Sequence, residues 1–410
     1  MYRHRRLIGE IFLQHSISTT ATPWWCTSDP EAAPDLIRRR IKAGMNATIA
    51  GDMFRSFLEG LPKGVDTAVH ILTDADADGL PAGALLCRAL RAAGYKHVTA
   101  ETRGKFENAW MPSVHERLRQ RSPEALIIAD LGARPDALLT GVPTLLVDHH
   151  APFGTPPGAV LLTSYGTEPT ATTGLLALWC AQAIAPPLAE RLQWLAGISL
   201  LSDLGDKAPF AELAESKKRF GATALKDLTT LLNAPRRTAA GDATSALQLL
   251  LTADTAKQPL TEPSTELDML RASKAEVSEA LAVARKAPPR FSAKWRDELG
   301  ADMIAVRINT PCQVHPLVAQ IWRPRFPKAV VFGVNTGFRP GFVHFAGRAP
   351  KNVNLVQFLR AHTPIGADGT FGGGHDQASG GALPVALWNP FAVEMGWGPE
   401  LQVKENSSAT

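Results

Sequence analysis

Three aspartates that alternate with small residues place the strongest constraint on how this chain can fold. An apolar run at residues 68–72 leads into Asp74, Asp76 and Asp78, and a helical pattern follows at residues 82–92. We interpret the stretch as a buried strand, an acidic turn and a helix. Carboxylates held this close raise each other's pKa, and a bound cation removes that cost. Hard oxygen ligands suit Mg²⁺ or Mn²⁺. For this stretch alone, a solvated acidic turn or a helix cap stays an open alternative.

Three later stretches also end in aspartate or histidine. The apolar run at residues 126–129 ends in Asp130, the run at residues 144–147 ends in Asp148, His149 and His150, and Asp203 follows a helix-like apolar run. Each polar residue could singly be a cap. In an open parallel sheet, however, the carboxyl ends of the strands meet at one edge, where such folds place their sites. The set therefore predicts a site at that edge.

These stretches resemble the motifs of a known superfamily. The segments DADADG, IADLG, VDHH and LLSDLGD resemble the four motifs of the DHH phosphoesterase superfamily, and among its members most resemble the RecJ-type single-strand exonucleases. Near the end of the sequence, FAGRAPKNVNLVQFLR and FGGGHDQASGGAL resemble the DHH-associated domain. The resemblance covers roughly residues 65–390.

The resemblance implies a site for two metal ions, about 3.5–4 Å apart in such enzymes. Its expected ligands are Asp74 and Asp76 for one ion, Asp78, His149 and Asp203 for the other, and Asp130 as the bridge. His150 is expected to be catalytic, facing the scissile phosphate as a donor or proton shuttle. Asp148 is expected to orient a histidine from outside the ligand shell. The mixed shell favours two Mn²⁺ ions, with Mg²⁺ as the alternative.

The resemblance also implies substrate-binding residues. Arg348 is expected to bind phosphate through two parallel hydrogen bonds. Gly373, Gly374 and His375 are expected to form a turn whose N–H groups approach an anion. Arg103 lies in a basic loop that is expected to contact phosphate, with Phe106 or Trp110 stacking on a base. An ordinary basic loop with packed aromatic residues is an equal alternative for this segment.

The chain has 410 residues, which is more than one typical domain. We predict an α/β protein: a parallel-sheet DHH domain flanked by helices, a helical linker and a smaller C-terminal α/β domain. The predicted boundaries are an N-terminal helical extension at 1–62, the DHH catalytic domain at 63–212, the linker at 213–295, the DHH-associated substrate-binding domain at 296–398 and a disordered tail at 399–410.

Individual segments can also be predicted. Helices are expected at residues 31–60, 262–286 and 354–362, strands at 303–308, 329–334, 341–346 and 383–387, and loops at 151–172. The four cysteines are far apart, which predicts reduced thiols and a cytoplasmic location. No apolar run is long enough to cross a bilayer, so no membrane partner is expected. The formal net charge of +4 is compatible with a polyanionic substrate.

The favoured function is a RecJ-like 5′-to-3′ exonuclease that hydrolyses single-stranded DNA, or RNA, to nucleoside 5′-monophosphates. The first alternative is a phosphodiesterase of the same superfamily acting on nanoRNA or a cyclic dinucleotide. The second is a non-catalytic replication or repair scaffold, which would be expected to have lost its metal ligands. Pyrophosphatase is less favoured, because the pyrophosphatases of the superfamily lack the glycine-histidine turn.

Full-length bacterial RecJ-type enzymes carry a further OB-type domain, which the resemblance does not extend to here. We therefore expect a short oligonucleotide, or a protein partner that supplies the strand, as well as single-stranded nucleic acid. The sequence leaves the oligomeric state open.

Overall fold

The computed structural model describes residues 44–367 and 371–404. They contain a five-stranded parallel sheet, a run of helices and a six-stranded mixed sheet. The predicted α/β class and its order of parts are thus confirmed. Most of the predicted extension at 1–62 lies outside the described residues, as do the first 13 positions of the helix predicted at 31–60. The described helix there is α1 (Ala47–Glu59), capped by the Asn46 side chain, which accepts hydrogen bonds from two backbone N–H groups at 3.1 Å.

The first sheet is formed by short, fully paired parallel strands. They are β1 (Val69–Thr73), β2 (Val98–Thr102), β3 (Ala125–Ala129), β4 (Thr144–Asp148) and β5 (Val160–Thr163), and their order is β2-β1-β3-β4-β5. Helices α2 (Gly79–Ala92) and α3 (Pro112–Arg121) connect the first three. The chain leaves β1 toward one side and later returns to the other side as β3. The strand order therefore reverses between β1 and β3, and ligands bind at such switch points.

The prediction of loops throughout residues 151–172 is wrong, because β5 lies within them. Proline and glycine on both sides hide a four-residue strand whose alternate side chains, Val160 and Leu162, are buried. β5 pairs in parallel with β4.

Two buried helices follow the sheet. They are α4 (Thr173–Ile184) and α5 (Pro186–Asp203). Both are apolar on most sides, and Trp194 on α5 is fully buried. Such helices belong to the interior of a domain. Their ends approach the first sheet, since α4 begins beside the acidic turn and α5 ends at Asp203.

Most of the segment predicted as a helical linker at 213–295 is helical, but its last part contains a strand, Pro289–Ser292. Its helices are α6 (Ala211–Ser216), α7 (Ala222–Leu232), α8 (Thr244–Thr252), α9 (Gln258–Thr261) and α10 (Thr265–Lys286), with a 3₁₀ turn at Pro235–Arg237. Helix α10 spans the two halves of the protein. Its first part packs Leu267 and Leu270 into the core of the first half, and Val277 and Ala284 pack into a core formed by the second sheet.

The second sheet is mostly antiparallel. Its strands are β6 (Pro289–Ser292), β7 (Met303–Ile308), β8 (Val330–Arg339), β9 (Phe342–Arg348), β10 (Gly373–His375) and β11 (Ala378–Pro384), in the order β10-β11-β9-β8-β7-β6. Its helices are α11 (Arg296–Leu299), α12 (His315–Trp322), α13 (Leu355–Ala361) and α14 (Val385–Glu394).

Two predictions for the C-terminal region need correction. The strand expected at 383–387 ends at Pro384, and helix α14 begins there because Trp388 and Phe391, three positions apart, face the core. The tail expected to be disordered from 399 begins with a 3₁₀ turn, Pro399–Leu401. Leu401 is buried, and its carbonyl accepts a hydrogen bond from Trp388 Nε1 at 2.7 Å. The rest of that tail, from 405, lies outside the described residues.

Two further expectations concern location. Within the described ranges, no helix has both the length and the hydropathy needed to span a bilayer. The described cysteines Cys87, Cys180 and Cys312 are buried free thiols.

Candidate metal centre

The candidate site lies at the switch point, on the carboxyl edge of the first sheet. Asp74 follows β1, and its N–H donates to Ala129 O of β3 at 3.1 Å. Asp130 follows β3, and its N–H donates to Val147 O of β4 at 3.0 Å. The backbone ladder therefore continues one residue past each strand and fixes both aspartates in register.

The acidic turn is organised by its middle aspartate. Asp76 Oδ1 accepts hydrogen bonds from the N–H groups of Asp78 and Gly79, both at 3.0 Å, so it caps the start of α2. Gly79 is needed for this packing, because a Cβ there would lie 2.8 Å from Asp74 Cβ. The turn thus places Asp74 and Asp76 in one group of candidate ligands and Asp78 in a second group.

Asp78 is held by two helices. Its Oδ2 accepts from Thr173 N at 2.9 Å, and its Oδ1 accepts from Gly174 N at 2.7 Å at the start of α4. Ser199 Oγ of α5 donates to Oδ1 at 2.6 Å. Burial raises the pKa of this carboxylate, and the hydrogen bonds from Ser199 and from the start of α4 oppose that rise only in part.

Asp130 has an unusual backbone. Its φ of 65° lies in the left-handed region, which aspartate tolerates better than most residues. Thr173 Oγ1 donates to its Oδ1 at 2.9 Å. Non-glycine residues held in this conformation cluster at functional sites. Here the turn aims the carboxylate back across the ends of β1 and β4.

His149 stands at the centre of three carboxylates. Its Nε2 lies 3.5 Å from Asp130 Oδ1, 3.5 Å from Asp203 Oδ2 and 3.7 Å from Asp78 Oδ2. This nitrogen is buried and has no hydrogen-bond partner among the described residues. Two atoms bound to one cation at about 2.1 Å are about 3 to 3.6 Å apart at ordinary coordination angles. The two separations of 3.5 Å lie in this range, and all three exceed an ordinary N–H···O hydrogen bond, so the arrangement suits ligands that share a cation better than it suits hydrogen bonds.

The predicted ligands fall into overlapping groups. Their ligand atoms lie within 4.8 Å of one another in the sets Asp74–Asp76–Asp130, Asp78–His149–Asp203 and Asp130–His149–His150. The first two sets form two ligand clusters that together contain every residue predicted as a ligand. The third set joins them, because Asp130 belongs to the first cluster and lies 3.5 Å from His149 Nε2 of the second, a position that suits a bridging carboxylate.

The electrostatics of the cluster favour a cation. Burial and the charges of neighbouring aspartates raise the pKa of Asp130 well above its usual value. Burial, followed by Asp78 and Asp76, raises the pKa of Asp203 to about 8. Asp76 differs: burial would raise its pKa, but Arg236 and the two N–H groups at the start of α2 keep it lowered. Bound metal would replace the protons that Asp130 and Asp203 otherwise retain.

His150 is positioned by Asp148. Asp148 Oδ1 accepts from the His150 N–H at 2.6 Å and lies 2.9 Å from Nδ1, while Oδ2 accepts from Gly132 N at 2.6 Å. The hydrogen bond to Asp148 raises the pKa of His150 to about 9. The His150 side chain is 57% exposed, so it faces the open side of the site. Asp148 thus contacts His150 rather than the candidate metal ligand His149.

In the basic loop after β2, Arg103 and Lys105 bind other protein groups, whereas the sequence suggested that this loop contacts phosphate. Arg103 Nε donates to Asp74 Oδ1, so this arginine faces a candidate metal ligand. Lys105 Nζ donates to Ala239 O at 2.6 Å and Pro311 O at 3.0 Å, which ties the loop to the linker and the second half. Phe106 packs against Phe338, with ring centroids 4.9 Å apart. The loop therefore joins the two halves beside the site.

Arg348 and His375 lie on one face of the second sheet. Arg348 pairs with Ala378, which in turn pairs with His375 across β9, β11 and β10. Residues opposite each other in antiparallel strands share a face, and two strand spacings put these Cα atoms about 10 Å apart. Gly373 and Gly374 belong to strand β10 rather than to the expected turn. At Gly374, φ is 121° and a Cβ would lie 2.3 Å from Ala378 O, so only glycine fits.

Two arginines near the site were not predicted. Arg236 Nη2 lies 3.5 Å from Asp76 Oδ2, and Arg237 follows in the same 3₁₀ turn. Burial, and then the neighbouring Arg236, lowers the pKa of Arg237 to about 9. Arg348 also contributes to that shift, so the linker arginines and the second sheet face the same space. The sequence signal is the Pro-Arg-Arg triplet at 235–237, which by itself indicates only a break between helices.

Sequence comparison places this chain beside single-strand exonucleases. The single-stranded-DNA-specific exonuclease RecJ of Thermus thermophilus is 28% identical over 385 residues, covering 82% of this chain and 52% of that protein. RecJ of Salmonella typhimurium is 29% identical over 154 residues, covering 32% of this chain and 26% of that protein. The chain therefore spans about half, or less, of the length of these curated relatives. No protein-family model matches it.

Solved structures show the same fold. A crystal structure of exonuclease RecJ bound to manganese matches with a TM-score of 0.58 at 21% identity, covering 86% of this chain and 95% of that chain. RecJ from Thermus thermophilus in complex with Mn²⁺ matches with a TM-score of 0.59 at 22% identity, covering 84% of this chain and 54% of that chain. The same protein in complex with Mg²⁺ matches with a TM-score of 0.54 at 21% identity, covering 84% of this chain and 51% of that chain. The resemblance seen in the sequence motifs is confirmed.

We predict that metal binding releases protons. Asp203 keeps its proton below about pH 8, so Mn²⁺ must displace it, and Mn²⁺ affinity should fall as the pH drops from 8 to 6. The fall should approach tenfold per pH unit for each displaced proton. Calorimetric titration at pH 7 in two buffers of different ionisation enthalpy counts the protons. The Asp203→Asn variant should release fewer protons than the wild-type protein when Mn²⁺ binds. A pH-independent affinity without proton release would contradict this electrostatic description.

Proposed function

We propose that this chain, a DHH-superfamily protein similar to RecJ, is a divalent-metal-dependent phosphodiesterase that degrades single-stranded nucleic acid from an end. The observation that carries the proposal is the pair of ligand clusters around Asp130, with the unpartnered Nε2 of His149 held among three carboxylates. Its support from sequence is the similarity to single-stranded-DNA-specific exonucleases over most of the chain.

Most residues of the site are proposed metal ligands. Asp74, Asp76 and Asp130 would hold one ion, and Asp78, His149 and Asp203 would hold the other, with Asp130 between them. Two such ions supply an activated water and neutralise charge on the phosphate. Mn²⁺ is the favoured ion and Mg²⁺ the alternative, since oxygen and imidazole ligands suit both.

His150 is the proposed catalytic donor. The hydrogen bond to Asp148 raises the pKa of His150 to about 9, which favours a protonated ring at neutral pH. Its exposed side faces the space where a phosphate would enter, and a protonated imidazole there can donate to a phosphoryl oxygen or to the leaving oxygen. Asp148 holds the ring through Oδ1, and Gly132 N donates to its Oδ2 and so fixes the carboxylate itself.

The second sheet is proposed to bind the substrate. Arg348 and His375 share one face, and burial lowers the pKa of the Arg348 guanidinium, which indicates a poorly hydrated cation. An anionic group would stabilise that charge. Gly373 and Gly374 leave the edge strand β10 without side chains beside His375, so a phosphate can approach its backbone closely.

The finer parts of the proposal follow the resemblance to RecJ-type enzymes. They are single-stranded DNA, or RNA, as substrate, 5′-to-3′ polarity, nucleoside 5′-monophosphates as products and a cytoplasmic location. A scaffold without catalysis would not need its ligands kept in two ordered clusters. An enzyme for nanoRNA or cyclic dinucleotides would use the same cluster, so the experiments below include short substrates.

Asp130→Ala should abolish hydrolysis, because it removes the carboxylate between the two ligand clusters. Release of mononucleotides from a 5′-labelled single strand, with Mn²⁺ present, measures the activity. Metal content of the purified variant should fall at the same time. Asp227→Asn, which removes an exposed carboxylate from α7, is the matched control and should keep full activity. Full activity of Asp130→Ala at equal metal concentration would contradict the assignment of Asp130 as the bridging metal ligand.

The same assay tests the form of the substrate. Linear single strands should be degraded, while blunt duplexes and circular single strands should survive, since an exonuclease requires a free end. Rapid cleavage of circles would show an endonuclease. Turnover limited to dinucleotides or cyclic dinucleotides would favour the small-substrate alternative.

Arg348→Ala and His375→Ala should weaken substrate binding without loss of metal. Removing one donor from a desolvated phosphate contact costs about 2–4 kcal/mol, or about 30- to 1,000-fold in kcat/KM. Arg348→Lys should retain only part of the wild-type kcat/KM, since an ammonium group cannot reproduce the two parallel hydrogen bonds of a guanidinium group. Arg285→Ala, at an exposed position on α10, is the control. Metal-loaded, stable variants with unchanged kcat/KM would refute the phosphate-binding role, and a lower Tm with normal kinetics would indicate a structural one.

A further inference from the structure

Three side chains that the proposed chemistry does not use meet at the rim of the metal centre. Trp110 lies in the loop after β2, Arg134 in the loop after β3 and Phe153 in the loop after β4. All three loops leave the carboxyl edge of the first sheet, the edge that carries the ligands. Phe153 is 85% exposed, although a phenylalanine side chain loses favourable burial in such a position.

The loops that carry these residues are fixed to one another. Phe153 N donates to Ala133 O at 2.9 Å, and Trp110 Nε1 donates to Asp136 O at 3.0 Å. Gly154 packs directly on Pro135, since a Cβ at 154 would lie 3.1 Å from that ring. The loop that carries the exposed Phe153 is therefore packed and hydrogen-bonded against the loop after β3.

Arg134 lies between the two aromatic rings. Its Cζ is 5.8 Å from the centroid of the Trp110 ring and 5.9 Å from that of Phe153. Both distances lie within the range of a cation–π contact. The arginine is exposed, so its remaining N–H groups can reach a phosphate in solvent. Together the three residues offer aromatic faces and a cation side by side.

The rim is connected to the catalytic residues by short covalent and hydrogen-bonded paths. Arg134 is four residues after Asp130, and Phe153 is three residues after His150. Gly132, between Asp130 and Arg134, donates to Asp148, which also holds His150. Arg134 and Phe153 are therefore positioned by the same two loops that position His150.

We infer that Trp110, Arg134 and Phe153 form a stacking platform for a nucleobase of the single strand, one or more nucleotides away from the phosphate in the metal centre. The base stacks on the exposed Phe153 ring, and Arg134 binds the phosphate attached to that nucleotide. Stacking on aromatic side chains accepts every base, which suits a protein without sequence preference. The class of ligand rests on the proposed function, while the platform itself rests on the rim geometry.

Direct binding tests the platform apart from hydrolysis. Fluorescence anisotropy of a labelled ten-nucleotide oligothymidine, measured in EDTA, gives Kd without turnover. Phe153→Ala should raise Kd about 5- to 150-fold, the effect of losing one base–aromatic stack. Phe153→Trp should retain tight binding. Phe291→Ala, at an exposed position on β6 at the far edge of the second sheet, is the matched control and should leave Kd unchanged.

Two further measurements separate the parts of the platform. A strand without bases should bind wild type and Phe153→Ala equally, because the stacked group is missing. Arg134→Gln should weaken binding of both strands and reduce the slope of log Kd against log salt by about 0.7.

The inference is overturned by any of three results. They are a wild-type protein that does not bind the strand in EDTA, an unchanged Kd for Phe153→Ala, and an equal loss by that variant on strands with and without bases. An unchanged Kd would favour a protein-docking role for the exposed ring, and an equal loss would show that the ring contacts the strand without stacking on a base. Absence of hydrolysis with Mn²⁺, alongside the expected changes in Kd, would refute the proposed catalytic function and leave the platform standing.

Discussion

Mutual repulsion among buried carboxylates is the constraint on which the site depends. Asp78 and Asp130 are almost completely buried, and they stand with Asp74, Asp76 and Asp203 at one end of the first sheet. Such a group is stable only if its charges are neutralised by protons, cationic side chains or metal ions. The protein supplies part of this through Arg103 and Arg236, each paired with one carboxylate of the turn. Divalent cations would complete the neutralisation and give the cluster its chemistry.

The fold provides the rigidity that this arrangement needs. The start of α2 fixes Asp76, the start of α4 fixes Asp78, and the ladder between β3 and β4 fixes Asp130. Asp76 and Asp78 are therefore held by backbone N–H groups and Asp130 by a strand end, so little ordering of these three residues is left to metal binding. Sites built in this way keep their geometry whether or not a ligand is bound. The loops beyond the ligands carry His150, the proposed donor, and Arg134 and Phe153 of the proposed platform, so both proposals depend on the same loops.

Local patterns in the sequence predict what lies close along the chain. The run before Asp74 and the glycine after Asp78 predict a strand, a turn and a helix, and the structure contains them. The convergence of Asp130, His149 and Asp203 follows from the rule for parallel sheets together with the motif resemblance. Contacts that depend on tertiary packing were beyond such reasoning. Nothing near Arg236 indicates that it reaches Asp76, and strand β10, with two glycines, has no hydrophobic pattern to identify it. The exposure of Phe153 also depends on the fold, because its sequence neighbours do not distinguish it from a core residue.

Anomalous X-ray diffraction from crystals grown with Mn²⁺ is the most direct test of the central claim. We expect two peaks about 3.5–4 Å apart at the carboxyl edge of the first sheet. One should lie within bonding distance of Asp74 and Asp76, the other within bonding distance of Asp78, His149 and Asp203, and Asp130 should contact both. A single peak, or peaks remote from these residues at saturating Mn²⁺, would contradict the two-metal site.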